Sequence, residues 1–153
     1  AGIVFAMAVF FVFLVLAAFM PAIMATGGNV GLQTTTIVIR SIGMGTINIK
    51  QIPRIIFLEV RVGVTLGVIC GVLAAVIGAF ISYNEPEVFK IAIAVFIAMV
   101  SATMATSFIG VAGPLVLHRL TFDPAAASGP FLTMFNDIFG SVFYLFIAML
   151  IFN

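Results

Sequence analysis

Apolar residues fall along this chain in four long runs, separated by short stretches where glycine, proline, hydroxyls, amides and charges gather. The runs extend from about residue 3 to 25, 54 to 82, 88 to 117 and 130 to 152, and each is long enough for the roughly 20 residues that carry a helix across hydrocarbon. The pattern predicts an all-α integral membrane helix bundle of about four transmembrane helices, forming a single transmembrane domain over residues 1–153. The first helix is expected to finish near Pro21 and the segment Ala25-Thr26-Gly27-Gly28-Asn29-Val30-Gly31-Leu32-Gln33-Thr34-Thr35-Thr36, where glycines and polar groups favour an end or an unwinding. From Ile37 to Ile52, apolar residues alternate with Arg40, Asn48, Lys50 and Gln51, which predicts a short interfacial helix and a loop. Pro53 and Pro130 suit the first turns of the helices they open.

Inside the second run, Gly63, Gly67, Gly71, Ala75 and Ala79 recur at four-residue spacing, a small-residue ribbon against which another helix can pack closely. Ser101, Thr103, Thr106 and Ser107 in the third run are expected to bond carbonyls or neighbouring helices. Cys70 is the single cysteine and lies in an apolar run, so a buried thiol is expected rather than a disulfide or metal ligand.

Composition sharpens the class. Hydrophobic residues make up 64% of the chain and charged residues 7%, against roughly a quarter charged in a soluble domain. A net charge of +1 leaves no basic footprint for nucleic acid. Enzymatic chemistry is not expected, because there is no paired His, no Ser-His-Asp set and no phosphate loop. His118 has no companion at metal-ligand spacing. Arg40, Lys50, Arg54 and Arg61 gather around the first connection and Arg119 in the third, whereas the second carries Glu85 and Glu87 with Lys90. The positive-inside rule then puts the first and third connections in the cytosol and both ends of this chain on the outer side, most naturally of a plasma (inner) membrane. The start Ala1-Gly2-Ile3, without an initiator Met or charged leader, is what a fragment would show.

One group stands out. Counted from Pro130 at ~1.5 Å per residue, Asp137 lies about 10 Å into the last helix, where a charge needs compensation. Gly129, Thr133, Asp137, Gly140 and Tyr144 recur at spacings of three and four, with Asn136 and Ser141 beside them, so polar and small groups are expected on one face. That face is either a neutral acid hydrogen-bonded to a neighbouring helix or the wall of an ion path. Glu59 and Asp123 are candidates for an acidic entrance, with a headgroup-level pair and a turn cap as their plainer roles.

The strings Gly27-Gly28-Asn29-Val30-Gly31-Leu32-Gln33, Pro114-Leu115-Val116-Leu117-His118-Arg119-Leu120-Thr121-Phe122-Asp123-Pro124-Ala125 and Asn136-Asp137-Ile138-Phe139-Gly140 occur in this order. Together they resemble the membrane domain of the MgtE family of magnesium channels and transporters. The resemblance implies a homodimer in the lipid bilayer with five helices per subunit, of which this chain looks like the last four. It implies a pore on the dimer axis passing hydrated Mg2+, or alternatively a secondary transporter coupled to Na+ or H+. A cytosolic regulatory part, present in bacterial members, is not found in this chain. Asp137 matches the family's in-membrane aspartate that binds the ion, and Ala25, Thr133 and Gly140 match positions touching its water shell. Gly28, Asn29, Gln33, Asn136 and Ser141 would line or support the path, and Asp123, with Glu59, would stand near its cytosolic mouth. Leu32 and Gly129 depart from the family by lacking an Asn side chain. Magnesium keeps its waters and is usually held by one or two carboxylates, which fits two aspartates facing each other across a twofold axis. Protons should compete with the metal for such a pair.

Overall fold

In the computed structural model, which describes residues 2–46, 51–123 and 130–152, the chain forms helices α1 (Gly2–Gly43), α2 (Ile52–Ile81), α3 (Val88–Arg119) and α4 (Pro130–Phe152). All four are long and apolar enough to span a membrane. The bounds of the last three lie within about two residues of those expected. The first departs from expectation: α1 passes straight through the Gly/Asn/Thr segment and Pro21, and residues 37–43, expected as a separate interfacial helix, are its last two turns. Asn48 and Lys50 lie outside the described residues.

The reason is the solvent. In water, Thr and Gly compete with a helix because the backbone has other partners; in hydrocarbon it has none, and a continuous helix is the way to satisfy it. The hydroxyls are then absorbed locally or by neighbours: Thr36 Oγ1 donates to Leu32 O at 2.8 Å and Ser41 Oγ to Ile37 O at 2.8 Å. The true end comes where Gly45 takes a left-handed φ of 65° and Thr46 N–H reaches back to Ser41 O at 3.1 Å.

Helix α3 is the centre of the bundle, packing on α1, α2 and α4, while α1 and α2 touch each other little. The ribbon on α2 meets α3 as an antiparallel hairpin, with Gly63 against Ser107, Gly67 against Thr103 and Gly71 against Phe96 and Met99. Beyond Gly71 the buried positions are Ala74 and Gly78, not Ala75 and Ala79. A strict four-residue step gains about 40° per repeat on a helix of 3.6 residues per turn, so a three-residue step has to restore the phase. Thr103 and Thr106 bond carbonyls of their own helix, as expected. Cys70 is free, half-buried and packed on the main apolar cluster.

The crossing of α1 and α3 is also close. A Cβ on Gly110 would lie 2.7 Å from Gly31 O and 3.0 Å from Thr34 Cβ. Pro114, inside α3, has no N–H for the carbonyl four residues earlier, which is that of Gly110. Thr35 supplies the missing donor from α1, its Oγ1 reaching Gly110 O at 3.1 Å in a buried bond. Thr35→Val should therefore destabilise the protein by about 1–3 kcal/mol, the cost of orphaning a buried acceptor. In a Pro114→Ala background, where residue 114 regains its N–H, the same change should cost measurably less; unfolding midpoints of the four variants in micelles read the difference.

Candidate functional site

The ends of the bundle differ in charge. Arg40, Arg54, Arg61, His118, Arg119 and Asp123 lie at the end where α1 and α3 finish and α2 and α4 begin. At the opposite end Glu87 pairs with Lys90 at 2.9 Å, both side chains well exposed, and the Lys90 ammonium stands 6.0 Å from the Phe152 ring centroid.

Between these ends α4 lies antiparallel to α1, and three contacts set the register. Leu132 packs against Gly31, the Asn136 amide against Gly27 and Gly28, and the Tyr144 hydroxyl donates to Leu16 O at 2.6 Å. In this register the polar residues expected on one face divide between two. Asn136, Gly140 and Tyr144 belong to the buried stripe of α4 with Leu132, Ile147 and Ala148. Thr133 is exposed, and Asp137 and Ser141 are half-buried on the flank of that stripe. Gly129 falls outside the described residues. The division follows from geometry, since successive residues on a helix point about 100° apart and Asn136 and Asp137 cannot both face inward.

Helix α1 divides in the same way. Gly28 is buried under the Asn136 amide, whereas Ala25, Asn29 and Gln33, four residues apart, form an open stripe. By the α1–α4 register this stripe lies at the depths of Thr133 and Asp137. The structure thus places Ala25, Asn29, Gln33, Thr133, Asp137 and Ser141 on open or half-open surfaces at one level of the bundle, and Gly28, Asn136 and Gly140 inside the protomer. Among the described residues nothing donates a hydrogen bond to the Asp137 carboxylate. Ser141 Oγ donates instead to the backbone carbonyls of Asp137 and Ile138, at 2.6 and 3.0 Å.

The second carboxylate is nearer the basic end. Glu59 on α2 accepts from Thr34 Oγ1 at 3.1 Å, ten residues further along α1 than Met24, the residue bonded by Asn136. That separation is about 15 Å of helix rise. Glu59 borders a cleft of about 160 Å3 between α1 and α2 that is otherwise lined by Ile37, Val38, Ser41, Ile55 and Leu58. Thr34 and Thr35 escape a reading of the sequence that treats residues 26–36 as a helix end. The signal that finds Thr35 is Pro114, which announces an unpaired carbonyl at Gly110. Asp123 is exposed beyond α3, with a partner of its own. No group of three or more His, Cys, Asp or Glu that could hold a metal ion occurs among the described residues of one protomer. A cation at Asp137 would draw its further ligands from backbone, hydroxyl or amide oxygens, water or a second copy.

A family model described as MgtE, divalent cation transporter, matches residues 20–147. The chain is 37% identical over 133 residues to the magnesium transporter MgtE of Bacillus subtilis (strain 168), an alignment covering 87% of this chain and 29% of that protein. It is 32% identical over 134 residues to the protein of the same name from Enterococcus faecalis, covering 88% and 29%. For that of Thermus thermophilus the identity is 29% over 136 residues, covering 89% and 29%. The chain thus spans about 29% of the length of these curated relatives.

Proposed function

Because this chain belongs to the MgtE family of divalent cation transporters, a family of transporters and not of enzymes, we propose that it is the ion-conducting membrane part of a magnesium transport protein. Two copies face each other across a twofold axis, and hydrated Mg2+ passes downhill between their Asp137 carboxylates. The observation that carries this reading is Asp137 itself, half-buried about 10 Å into a membrane helix with no donor among the described residues. An ionised carboxylate in that position is stable only if charge arrives from outside the protomer. One divalent cation between two symmetry-related carboxylates balances that charge, and magnesium's reluctance to lose water suits a roomy, sparsely charged path.

In this arrangement Asp137 is the metal-binding group. Ala25 and Thr133, on the open surfaces at its level, contact the ion's water shell, and Asn29, Gln33 and Ser141 line the approach. Gly140 and Gly28 lie behind that surface, where α1 and α4 meet. The basic end faces the cytosol, by the positive-inside rule, with Glu59 and Asp123 near the mouth and both ends of this chain outside.

The Thr34–Glu59 contact favours a second reading, transport coupled to Na+ or H+, because a carboxylate held between two helices and apart from Asp137 is a group that a coupling ion could occupy. Flux in proteoliposomes separates the two. A channel moves Mg2+ down its own gradient at the same rate with or without Na+ and proton gradients, and Glu59→Gln leaves that indifference unchanged. Flux that stops when the counter-ion gradient is collapsed overturns the channel.

A further inference from the structure

Asn136 follows Asp137's turn of helix but points elsewhere. Its side chain is 1% exposed, and its Nδ2 donates to Met24 O on α1 at 2.7 Å, across 112 residues of sequence. The other amide atom, Oδ1, is buried with no hydrogen-bond partner among the described residues and lies over Gly27, where a Cβ would come within 2.8 Å of it. A Cβ on Gly28 would stand 3.4 Å from Nδ2. The two glycines therefore form a notch that fits this amide and little more. Eight residues further along α4, Tyr144 makes a second bond of the same kind to Leu16 O, eight residues earlier on α1. The nearer pin holds the turn of α4 beside Asp137, and the other, about 12 Å further along the helix, chiefly holds its axial register.

A leucine or alanine would fill the interior without leaving an oxygen unsatisfied, so packing alone does not account for an amide here. What the amide adds is direction. We propose that Asn136 is a positioning and selectivity residue: by clamping α4 to the Met24 carbonyl in the Gly27–Gly28 notch, it sets the azimuth of the adjacent Asp137 and hence the gap between paired carboxylates. This rests on the reading of Asp137 as the ion-binding group. A rotation of α4 by about 20° swings a carboxylate roughly 6 Å from the helix axis by about 2 Å. The oxygen distances preferred by magnesium and calcium differ by only about 0.3–0.5 Å. Freed from its clamp, α4 can adapt to the larger, more tolerant ion.

The test is divalent flux into liposomes by the purified protein, with Mg2+ and Ca2+ measured separately for wild type, Asn136→Ala, Tyr144→Phe and Asp137→Asn. Asn136→Ala should lower the ratio of Mg2+ to Ca2+ flux about tenfold while Ca2+ flux persists. Tyr144→Phe removes a buried inter-helix bond further from the carboxylate; it should lower thermal stability at least as much and keep the ratio within about twofold. A wild-type ratio in Asn136→Ala, or an equal change in Tyr144→Phe, overturns the inference. If Asn136→Ala does not assemble, Gly27→Ala, which keeps the amide but pushes it off its seat, must shift the ratio in the same direction, and an unchanged ratio there overturns it equally. Undiminished transport by Asp137→Asn would instead remove the ion-site reading on which the inference rests.

Discussion

Replacing Asp137 by Asn should lower magnesium uptake about a hundredfold while leaving the protein folded. The substitution keeps size and shape and removes one negative charge per subunit, two in the proposed dimer. A tenfold change in occupancy corresponds to about 1.4 kcal/mol, which each carboxylate exceeds when it faces a divalent ion in a partly dehydrated site. Stability should hold or rise, because an ionised group half-buried in hydrocarbon is a burden when no cation is present. Uptake in a magnesium-dependent growth assay and in liposomes, read beside the thermal midpoint, checks both halves. Uptake at the wild-type level in a folded Asp137→Asn protein would reduce this bundle to a structural or assembly role.

Gly110→Ala should be among the most damaging single-methyl changes in the bundle. The new Cβ meets a backbone oxygen, that of Gly31, at 2.7 Å, and the side chain of Thr34 at 3.0 Å. At Gly63 a new methyl would also run into α3, first into the Ser107 hydroxyl, which can rotate away, and then into the Ser107 Cβ and the Thr103 carbonyl oxygen, each 2.9 Å away. At Gly110 the nearest atom is main chain, so α1 and α3 must move apart. That separation also stretches the Thr35 bond to the carbonyl freed by Pro114. Overpacking of this kind costs about 1–3 kcal/mol, and Gly110→Val should cost more. Unfolding midpoints in detergent should fall accordingly; a Gly110→Ala protein as stable as wild type would mean that the crossing is looser than drawn.

Much of this was legible in the residues. Hydropathy alone finds four spans, because each run exceeds the spanning length and the breaks fall at Pro53, at Glu85-Pro86-Glu87 and before Pro130. The depth of Asp137 follows from counting turns from Pro130. The course of α1 was not legible, because Gly27, Gly28, Asn29, Gly31 and three threonines have the composition of a helix end in water. Their partners, the Asn136 amide, Thr106, the Gly110 carbonyl and Glu59, lie 25 to 109 residues away in the chain. The phase of α4 was half legible. Spacing groups Thr133, Asn136, Asp137, Gly140 and Tyr144 broadly together, but only the Met24 and Leu16 carbonyls decide that the amide and the phenol turn inward and the carboxylate sideways.

The crossing at Gly31 and Gly110 has a mechanical consequence. Where main chain rests on main chain, there is no pliable side chain to absorb displacement, and α2 meets α3 in the same way at Gly63 and Gly67, so these three helices act as one strut. Were ions to pass beside α4 as proposed, opening and closing would fall to that helix, hung from the strut by two side-chain tethers that allow tilt before they allow slip. A gate built this way would swing like a door on its frame instead of dilating like an iris.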